Sequence, residues 1–494
     1  MRTQRPHPGP GQSPARSRYL PGRAMAVVLS CGTVAALSWA TAAGSAAATA
    51  PVSAADRAPG SPAAAVPAAA RGTAARAAAG GAARAAPAKA AAGPAAGLAR
   101  AWSAPAWSAE VQLAAARTAV APGPADWSVT VSTLRDSGRG SLRAAIREAD
   151  AAPPGLATVI RFTVTGTITL SAALPAVTRQ VTIDGTSAPG YQAGRAPLVA
   201  GNAHGHPGLD FAVGSGRAKL LGLAVDRASG AGVILHAGSI TLNGDYIGLD
   251  LAGRAAGNAG AGVYVAANSP GDYIGFNRAG RPGLAANVIS GNRGNGIVLS
   301  GSSGSTLVAN RIGTNPAGTR AIGNGGSGVV LDRRALGNEI GGTAFTDPAT
   351  GQANDPTGDE GRVAPVLVVP PLGNLISGNA GNGILIESGS ARNHLSGNFV
   401  GTTASGDRAL GNGGNGVLVT GSASGNVIGA ARGPAPVNLV SGNHEAGVTL
   451  RAGTRRNQVL RNYIGLNKLG QVLRNTGRAV ANAGRGNIVR GNRT

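Results

Sequence analysis

The sequence is poor in aromatic residues and in cysteine, and both shortages limit what it can build. Only 3% of its 494 residues are aromatic, whereas 80 are glycine. A bulky mixed core is therefore excluded, and turns must be frequent. The single cysteine, Cys31, leaves the chain without an internal disulfide. Stability must come from repetition and packing.

Lysine is scarce as well, since only 3 of the 44 basic residues are Lys, yet the formal net charge is +23. A basic surface favours polyanionic partners such as uronate polysaccharide, cell-wall polymers or nucleic acid. The preference for Arg over Lys is equally typical of the codon usage of a GC-rich genome, which accounts for the basic residues without any polyanionic partner. Because bulk charge is its only support, we do not expect a nucleic-acid partner.

Residues 1–42 have the pattern of a secretory signal peptide. Five arginines precede an apolar run from Ala24 to about Ala43, and Ala40-Thr41-Ala42 fits an A-x-A cleavage site. Two alternatives remain open, a lipoprotein signal at Cys31 and an uncleaved anchor of nearly membrane-spanning length. We expect a secreted protein, extracellular or associated with the cell wall, without stable membrane insertion.

Residues 43–126 are mainly Ala, Pro, Gly and Arg. Such a segment buries too little apolar surface to offset chain entropy, so the sequence predicts a disordered spacer. The folded domain is then expected to cover residues 127–494.

Within residues 127–494 a glycine followed by alternating aliphatic residues recurs seven times. The steps between the glycines are 30, 34, 32, 55, 33 and 31 residues, so the long step contains an insertion of about 23. The segments are Gly232–His236, Gly262–Ala266, Gly296–Ser300, Gly328–Asp332, Gly383–Glu387, Gly416–Thr420 and Gly447–Arg451.

Two further motifs accompany the first. One is Asp or Asn before x-Ile-Gly or x-Val-Gly, and the other is Asn-x-(Ile/Val)-Ser-Gly-Asn, which returns on every second rung and gives a double repeat of about 64 residues. Three short strands per turn, bounded by Gly and Asn, predict an all-β fold, a three-sided parallel β-helix. We expect it to be a monomer.

The alternation also predicts which side chains face the interior. Val329 and Leu331 point inward, and Val330 and Asp332 point outward. The equivalent interior column is Val233, Val263, Ile297, Val329, Ile384, Val417 and Val448. Asparagine before each x-Ile-Gly strand predicts a structural asparagine ladder, because Asn accepts left-handed backbone angles and hydrogen-bonds neighbouring amides.

A short helix is predicted before the regular rungs. Leu142, Ala145, Ile146 and Ala149 have the i, i+3, i+4, i+7 spacing of an amphipathic helix. It would cover the open apolar end of the solenoid.

Three segments resemble the start of bacterial secreted right-handed β-helix repeat proteins with a pectin-lyase-like fold: Asp136–Ile146, Gly166–Leu170 and Val181–Gly190. Later repeat units are similar to the same largely uncharacterised family, so the resemblance covers residues 127–494. It implies a right-handed parallel β-helix. Enzymes of this fold usually act on polysaccharides, but neither the polygalacturonase nor the pectate-lyase signature is complete here.

One pair of acids is a candidate active site. Asp332 and Glu387 occupy the same outward position on consecutive rungs, which places them roughly 5 Å apart. Two carboxylates at that separation can act as nucleophile and acid/base in a retaining glycosidase, or share a cation. Arg451, two rungs further on, brings positive charge. The alternative is an exposed pair of strand charges, neutralised by arginines.

Calcium is the one cofactor that the sequence suggests. The insertion, expected to emerge beside the acid pair, carries Asp355, Asp359 and Glu360 as candidate ligands.

Asp245 and Asp272 replace Asn on what we expect to be adjacent rungs of one ladder. Stacked carboxylates repel, so one of them is expected to be protonated, paired with Arg or bound to a cation.

A row of outward residues follows the ladder position and is partly aromatic: Tyr246, Tyr273, Arg311, Phe399 and Tyr463. Aromatic rings spaced along a sheet can stack on sugars, although Tyr and Phe also simply favour strands.

Two functions remain open. The first is binding of extracellular or cell-wall polysaccharide, acidic ones included, and the second is a polysaccharide lyase or glycoside hydrolase.

Overall fold

The computed structural model describes residues 127–153, 156–275, 286–342, 373–430 and 437–494. The predicted signal peptide (1–42) and spacer (43–126) lie outside the described residues. The candidate calcium ligands Asp355, Asp359 and Glu360 lie outside them too, so the structure does not test these predictions.

The chain forms a right-handed, three-sided parallel β-helix, as the sequence predicts. Each full turn contributes one strand to each of three parallel sheets, which contain 12, 10 and 9 strands and are called sheets A, B and C. The chain passes from A to B to C and back to A, so the solenoid has three corners: A–B, B–C and C–A.

The strands are short, and most have two to four residues. In chain order they are β1 (Trp127–Val131), β2 (Thr158–Phe162), β3 (Gly166–Thr169), β4 (Val181–Asp184), β5 (Val199–Asn202), β6 (Leu209–Phe211), β7 (Lys219–Leu221), β8 (Leu223–Asp226), β9 (Val233–Leu235), β10 (Thr241–Asn243), β11 (Tyr246–Ile247), β12 (Val263–Val265), β13 (Tyr273–Gly275), β14 (Val288–Ile289), β15 (Ile297–Ser300), β16 (Thr306–Val308), β17 (Arg311–Ile312), β18 (Val329–Asp332), β19 (Glu339–Gly341), β20 (Leu375–Ile376), β21 (Ile384–Ile386), β22 (His394–Ser396), β23 (Phe399–Val400), β24 (Val417–Val419), β25 (Val427–Gly429), β26 (Leu439–Val440), β27 (Val448–Leu450), β28 (Gln458–Leu460), β29 (Tyr463–Ile464), β30 (Val480–Asn482) and β31 (Ile488–Arg490).

The order of strands within each sheet follows the winding. Sheet A is β1-β2-β4-β7-β10-β13-β16-β19-β22-β25-β28-β31, sheet B is β3-β5-β8-β11-β14-β17-β20-β23-β26-β29, and sheet C is β6-β9-β12-β15-β18-β21-β24-β27-β30. Neighbouring strands lie about 4.8 Å apart, so equivalent residues of successive turns form columns.

The interior is a stack of such aliphatic columns. The predicted column of sheet C is confirmed, because all seven of its members are at most 1% exposed and pair in register: Val233, Val263, Ile297, Val329, Ile384, Val417 and Val448. Burial of this kind is worth about 1.5–3 kcal/mol per large aliphatic side chain.

Polar ladders line all three corners, where the sequence predicted one ladder. The C–A ladder contains Asp272, Ser305, Asn338, Asn393, Asn426, Asn457 and Asn487. The A–B ladder contains Asp245, Asn287, Asn310, Asn374, Asn398, Asn438, Asn462 and Asn492. The B–C ladder contains Asn258, Asn292, Asn324, Asn379, Asn412, Asn443 and Asn475. Asp245 and Asp272 therefore belong to different ladders, which corrects the expectation that they stack on each other.

The double repeat reflects alternating connections between the sheets. On every second turn the chain makes an antiparallel hairpin between sheets B and C, held by the bridges Leu249↔Ala255, Thr314↔Ala321, Thr402↔Ala409 and Leu466↔Val472. On the other turns that connection is short and the A–B connection is the longer one. The x-Ile-Gly motif thus combines strands of sheets A and B, which the sequence alone treated as one set.

The predicted helix is present as α1 (Leu142–Asp150), and a short 3₁₀ helix covers Gly185–Ser187. The Ser141 side chain accepts a hydrogen bond from the Ala144 amide and caps the start of α1. The apolar side of α1, including Leu142 and Ile146, joins the main core beside β1 and β2. In the described part of the chain no helix is long and apolar enough to cross a membrane.

Candidate functional site

The acid pair lies at the end of sheet C, where the chain turns towards sheet A. Leu331 and Ile386 pair in register, and the Glu387 amide donates to the Leu331 carbonyl at 2.9 Å. Asp332 and Glu387 are therefore neighbours on adjacent strands, about 4.8 Å apart at the backbone. The Oδ1 atom of Asp332 is buried and has no hydrogen-bond partner among the described residues.

The same position on neighbouring strands holds uncharged hydroxyls and then an arginine. We call Ser300, Asp332, Glu387, Thr420 and Arg451 the acid column. Thr420 separates Glu387 from Arg451, so the arginine lies two strands from the nearer acid, roughly 10 Å at the backbone. A shallow depression of about 390 Å³ lies beside Thr420 and Arg451, with Thr449 and Arg478 also in its lining.

The insertion does not leave the fold beside the acid pair, which corrects that expectation. The described chain stops at Gly342, directly after β19 of sheet A. It resumes at Gly373, just before β20 of sheet B. The connection therefore belongs to the A–B corner, on the other side of sheet A from Asp332 and Glu387.

The described residues contain no group of three or more His, Cys, Asp or Glu side chains arranged to hold a metal ion. Asp332 and Glu387 thus supply two carboxylates without a third ligand of these types from the described part of the chain. Calcium stays a prediction that depends on Asp355, Asp359 and Glu360.

The aromatic row is not one row. Tyr246, Arg311, Phe399 and Tyr463 lie on sheet B, whereas Tyr273 lies on sheet A. Moreover, the B–C hairpins cover the exterior of sheet B: Tyr246 packs with Leu249, and Phe399 and Tyr463 pack with Leu466.

Little of these rings remains exposed. Tyr246, Phe399 and Tyr463 are only 5%, 4% and 8% exposed. The Arg493 guanidinium also lies 5.3 Å from the centre of the Tyr463 ring. These three rings have no open face for a sugar.

An apolar stripe that is partly exposed occurs on sheet C instead, and three of its members, Val298, Val330 and Leu418, are only 8%, 5% and 8% exposed. The middle residue of each glycine-aliphatic motif points outward and pairs in register with its equivalents; the sheet C stripe is Ile234, Tyr264, Val298, Val330, Leu385, Leu418 and Thr449. Ile234, Tyr264, Leu385 and Thr449 are partly exposed. The alternation within the glycine-aliphatic motif already indicated that these residues point outward.

From β15 to β27, polar side chains border the sheet C stripe on both sides. One border is the acid column. The other is a row of residues at the B–C corner that are linked by hydrogen bonds from backbone amides or side chains to the neighbouring side chain: Asn295, Ser327, Asn382, Asn415 and Glu445. Thr449 of the stripe also donates to Asn415 at 2.6 Å.

The exterior of sheet A holds a second set of titratable residues, which includes His394, a residue that the sequence analysis missed. Glu339 pairs in register with His394, and Tyr273 lies two strands from Glu339, beyond Thr306. Burial raises the pKa of Glu339, and neighbouring His394 opposes that shift. Burial also raises the pKa of Tyr273, and the Glu339 charge adds to this. The signal was His394 directly after the ladder residue Asn393.

The two ladder aspartates have different environments. Asp245 is fully buried, and burial raises its pKa well above the usual range. Burial raises the pKa of Asp272 to about 7, against hydrogen bonds from Ser269 and the Ile240 amide. Neither side chain is exposed enough to reach a soluble ligand, so both are structural residues.

Comparison with known proteins gives structural likenesses only. No protein-family model matches the sequence, and no curated protein matches it either. The A-module of mannuronan C-5 epimerase AlgE6 from Azotobacter vinelandii is 12% identical over 74% of this chain and 98% of the module, with a TM-score of 0.40. A variant of the periplasmic alginate epimerase AlgG is 14% identical over 68% of this chain and 76% of that one (TM-score 0.37).

Pectate lyase Pel9A is 12% identical over 75% of this chain and 80% of its own, with a TM-score of 0.33. The fold assignment for the present chain rests on its own three sheets and their register.

Proposed function

We propose that this protein is secreted and binds extracellular or cell-wall polysaccharide along the exterior of sheet C. The observation that carries the proposal is the sheet C stripe, an apolar strip bordered on both sides by polar side chains. Sugar rings have an apolar face and a rim of hydroxyl groups, and binding sites for such ligands combine apolar and aromatic contact with a few placed polar groups.

The repeat of the solenoid suits a polymer. From β15 to β27, each turn adds one stripe residue and one polar residue on either side at intervals of about 4.8 Å. An extended sugar chain lying along the axis would meet the same combination of groups several times, and repeated weak contacts add up to useful affinity. Sheet B, in contrast, is covered by its hairpins.

Tyr264 provides the sharpest test. Replacing Tyr264 by Ala removes the one aromatic ring of the stripe, and affinity for the best-binding polymer in a panel of uronate and neutral polysaccharides should fall about fivefold to tenfold, the loss of roughly 1–1.5 kcal/mol typical of an aromatic contact. Phe399→Ala is the matched control, because it removes a ring from the covered sheet. It should lower thermal stability and leave affinity unchanged.

Equal affinity in the parent and Tyr264→Ala would remove sheet C as the binding surface. Absence of binding to every polymer would overturn the proposed function itself.

A second candidate function is cleavage of the bound polymer, favoured by the placement of Asp332 and Glu387 on adjacent strands at the border of the stripe. Two carboxyl groups at that separation suit a retaining glycosidase. Release of new reducing ends, or of unsaturated products, by the parent protein would distinguish cleavage from binding.

A further inference from the structure

The C–A corner carries a line of exposed arginines in its C-terminal half. We call this set the arginine ridge: Arg333, Arg334, Arg392, Arg451, Arg455, Arg456 and Arg485. All seven lie in turns that join a strand of sheet C to the next strand of sheet A. The acids of the same turns are Asp332 and Glu387, so seven positive charges face two negative ones.

Backbone hydrogen bonds hold these turns in register. Parallel bridges connect Leu336, Ala391, Ser424, Arg455 and Arg485 in succession. The ridge therefore runs parallel to the solenoid axis across five strands of sheet C, from β18 to β30, over roughly 19 Å. Within the ridge, Arg392 and Arg456 share one position of the turn, and Arg455 and Arg485 share the position before it.

Two arginines of the ridge occupy a backbone position that glycine fills in most of the other turns. One position of each turn has a left-handed backbone and is occupied, in order, by Arg217, Ser239, Gly271, Gly304, Gly337, Arg392, Gly425, Arg456 and Gly486. Glycine adopts this conformation freely, whereas Arg392 and Arg456, at φ of 55°, do so at a cost of about 1–2 kcal/mol. Arg333 and Arg334 also have positive φ.

The ridge arginines form no ion pair with the described residues. Within the described residues, the ion pairs between 2.6 and 3.9 Å involve Arg143, Arg161, Arg227, His236 and Arg408, none of which belongs to the ridge. The guanidinium groups of the ridge thus point into solvent beside the acid column. A guanidinium binds carboxylate oxygens in a bidentate manner and is only weakly hydrated.

We infer that the arginine ridge binds the carboxylate groups of an extended acidic polysaccharide that lies along the C–A corner. This inference rests on the proposed function and names its ligand class, a polymer with a carboxylate on successive sugars. A nucleic acid fits the ridge less well, because the turns contain no aromatic side chain on which bases could stack.

The test uses two ligands with the same sugar backbone, one charged and one neutral: polygalacturonate and its fully methyl-esterified form. Isothermal titration of the full-length protein should give tighter binding of polygalacturonate by tenfold or more at low salt, and the difference should shrink as salt is added. The variant Arg392→Gly with Arg456→Gly should lose most of this preference. Its thermal stability should be equal or higher, since glycine relieves both left-handed positions.

Arg217→Gly is the matched control. It makes the same change at the same turn position, at the far end of the corner and outside the ridge. It should relieve the backbone equally and keep the preference for polygalacturonate.

Three outcomes would overturn the inference: equal affinity for both polymers, an unchanged preference in the double variant, or tighter binding of double-stranded DNA than of polygalacturonate. Binding of both polymers without preference would leave the proposed function intact. Binding of neither would also overturn the inference, whereas the proposed function falls only if no polysaccharide of the wider panel binds.

Discussion

The side-chain oxygen of Asn287 accepts a hydrogen bond from the backbone amide of Asp245 at 2.9 Å, which makes Asp245 the first member of the A–B ladder. One rung later, the Asn287 amide nitrogen donates to the Leu242 carbonyl and to Asn310. Asp245 has a buried oxygen, Oδ2, at the equivalent place, with no partner among the described residues. A carboxyl satisfies a position that requires a donor only when it is protonated.

Asp245→Asn should therefore stabilise the protein. The amide supplies the missing donor without a proton having to be taken up, and we expect a gain of about 1–3 kcal/mol at pH 8, read as a higher midpoint of thermal unfolding. Asn287→Asp is the control, because it creates the same defect one rung later and should lower the midpoint. A midpoint for Asp245→Asn at or below that of the parent would contradict a protonated carboxyl.

Asp272 should make stability depend on pH. The Ser269 hydroxyl lies 2.5 Å from the Ala237 carbonyl and 2.6 Å from Asp272 Oδ2, so when it donates to Ala237 the carboxyl must donate to it. Burial raises the pKa of Asp272 from 3.8 to about 7. Between these values the folded protein holds a proton that the unfolded chain releases, so stability falls as pH rises from about 4 to 7 and then levels.

Asp272→Asn removes this titration. Relative to the parent, the variant should gain stability across that interval by up to about 4 kcal/mol, at about 1.4 kcal/mol per pKa unit. Unfolding midpoints measured from pH 4 to 8 give the difference. Glu148→Gln, at an exposed carboxyl of α1, is the control and should run parallel to the parent. A constant difference for Asp272→Asn would show that the carboxyl is ionised throughout.

The fold could be predicted because the repeat determines it. A glycine followed by alternating aliphatic residues fixes which side chains point inward, and Val233 and Ile384 lie in one interior column as that alternation requires. The end helix followed from a single apolar stripe that includes Leu142 and Ile146.

The candidate site could be predicted only in part. The position of Asp332 beside Glu387 follows from register within one motif, whereas the burial of Tyr246 and Phe399 depends on hairpins that fold back over sheet B. Such cover arises from contacts between segments with different sequences, which a one-dimensional repeat does not encode. The same holds for the A–B origin of the insertion, since x-Ile-Gly strands of two sheets have the same pattern.

Core packing gives a direct test of the interior column. Ile384→Asp places a charge without a partner inside the solenoid and should cost several kcal/mol, enough to prevent folding or lower the unfolding midpoint sharply. Leu385→Asp, the adjacent residue on the exterior of sheet C, should be tolerated far better. Similar midpoints for the two variants would mean that the inward and outward assignments of β21 are wrong.

Variants of the acid pair can distinguish the two candidate functions, because they should change affinity if the protein only binds and turnover if it cleaves. Asp332 and Glu387 are the acidic residues of the C–A turns that carry the arginine ridge. If the protein only binds, the double variant Asp332→Asn with Glu387→Gln removes repulsion from an anionic polymer and should tighten its binding severalfold at low salt. If the pair cleaves the polymer, each single variant should lower turnover about a hundredfold or more, with binding little changed. Ser300→Ala and Thr420→Ala, in the same column on either side, are the controls, because they remove no charge; neither should tighten binding or lower turnover. Titration of polygalacturonate and an assay for new reducing ends on the same samples decide between the two. Weaker binding by the double variant that appears only with calcium present would instead assign the pair to a cation shared with the polymer, and would contradict both candidates as stated.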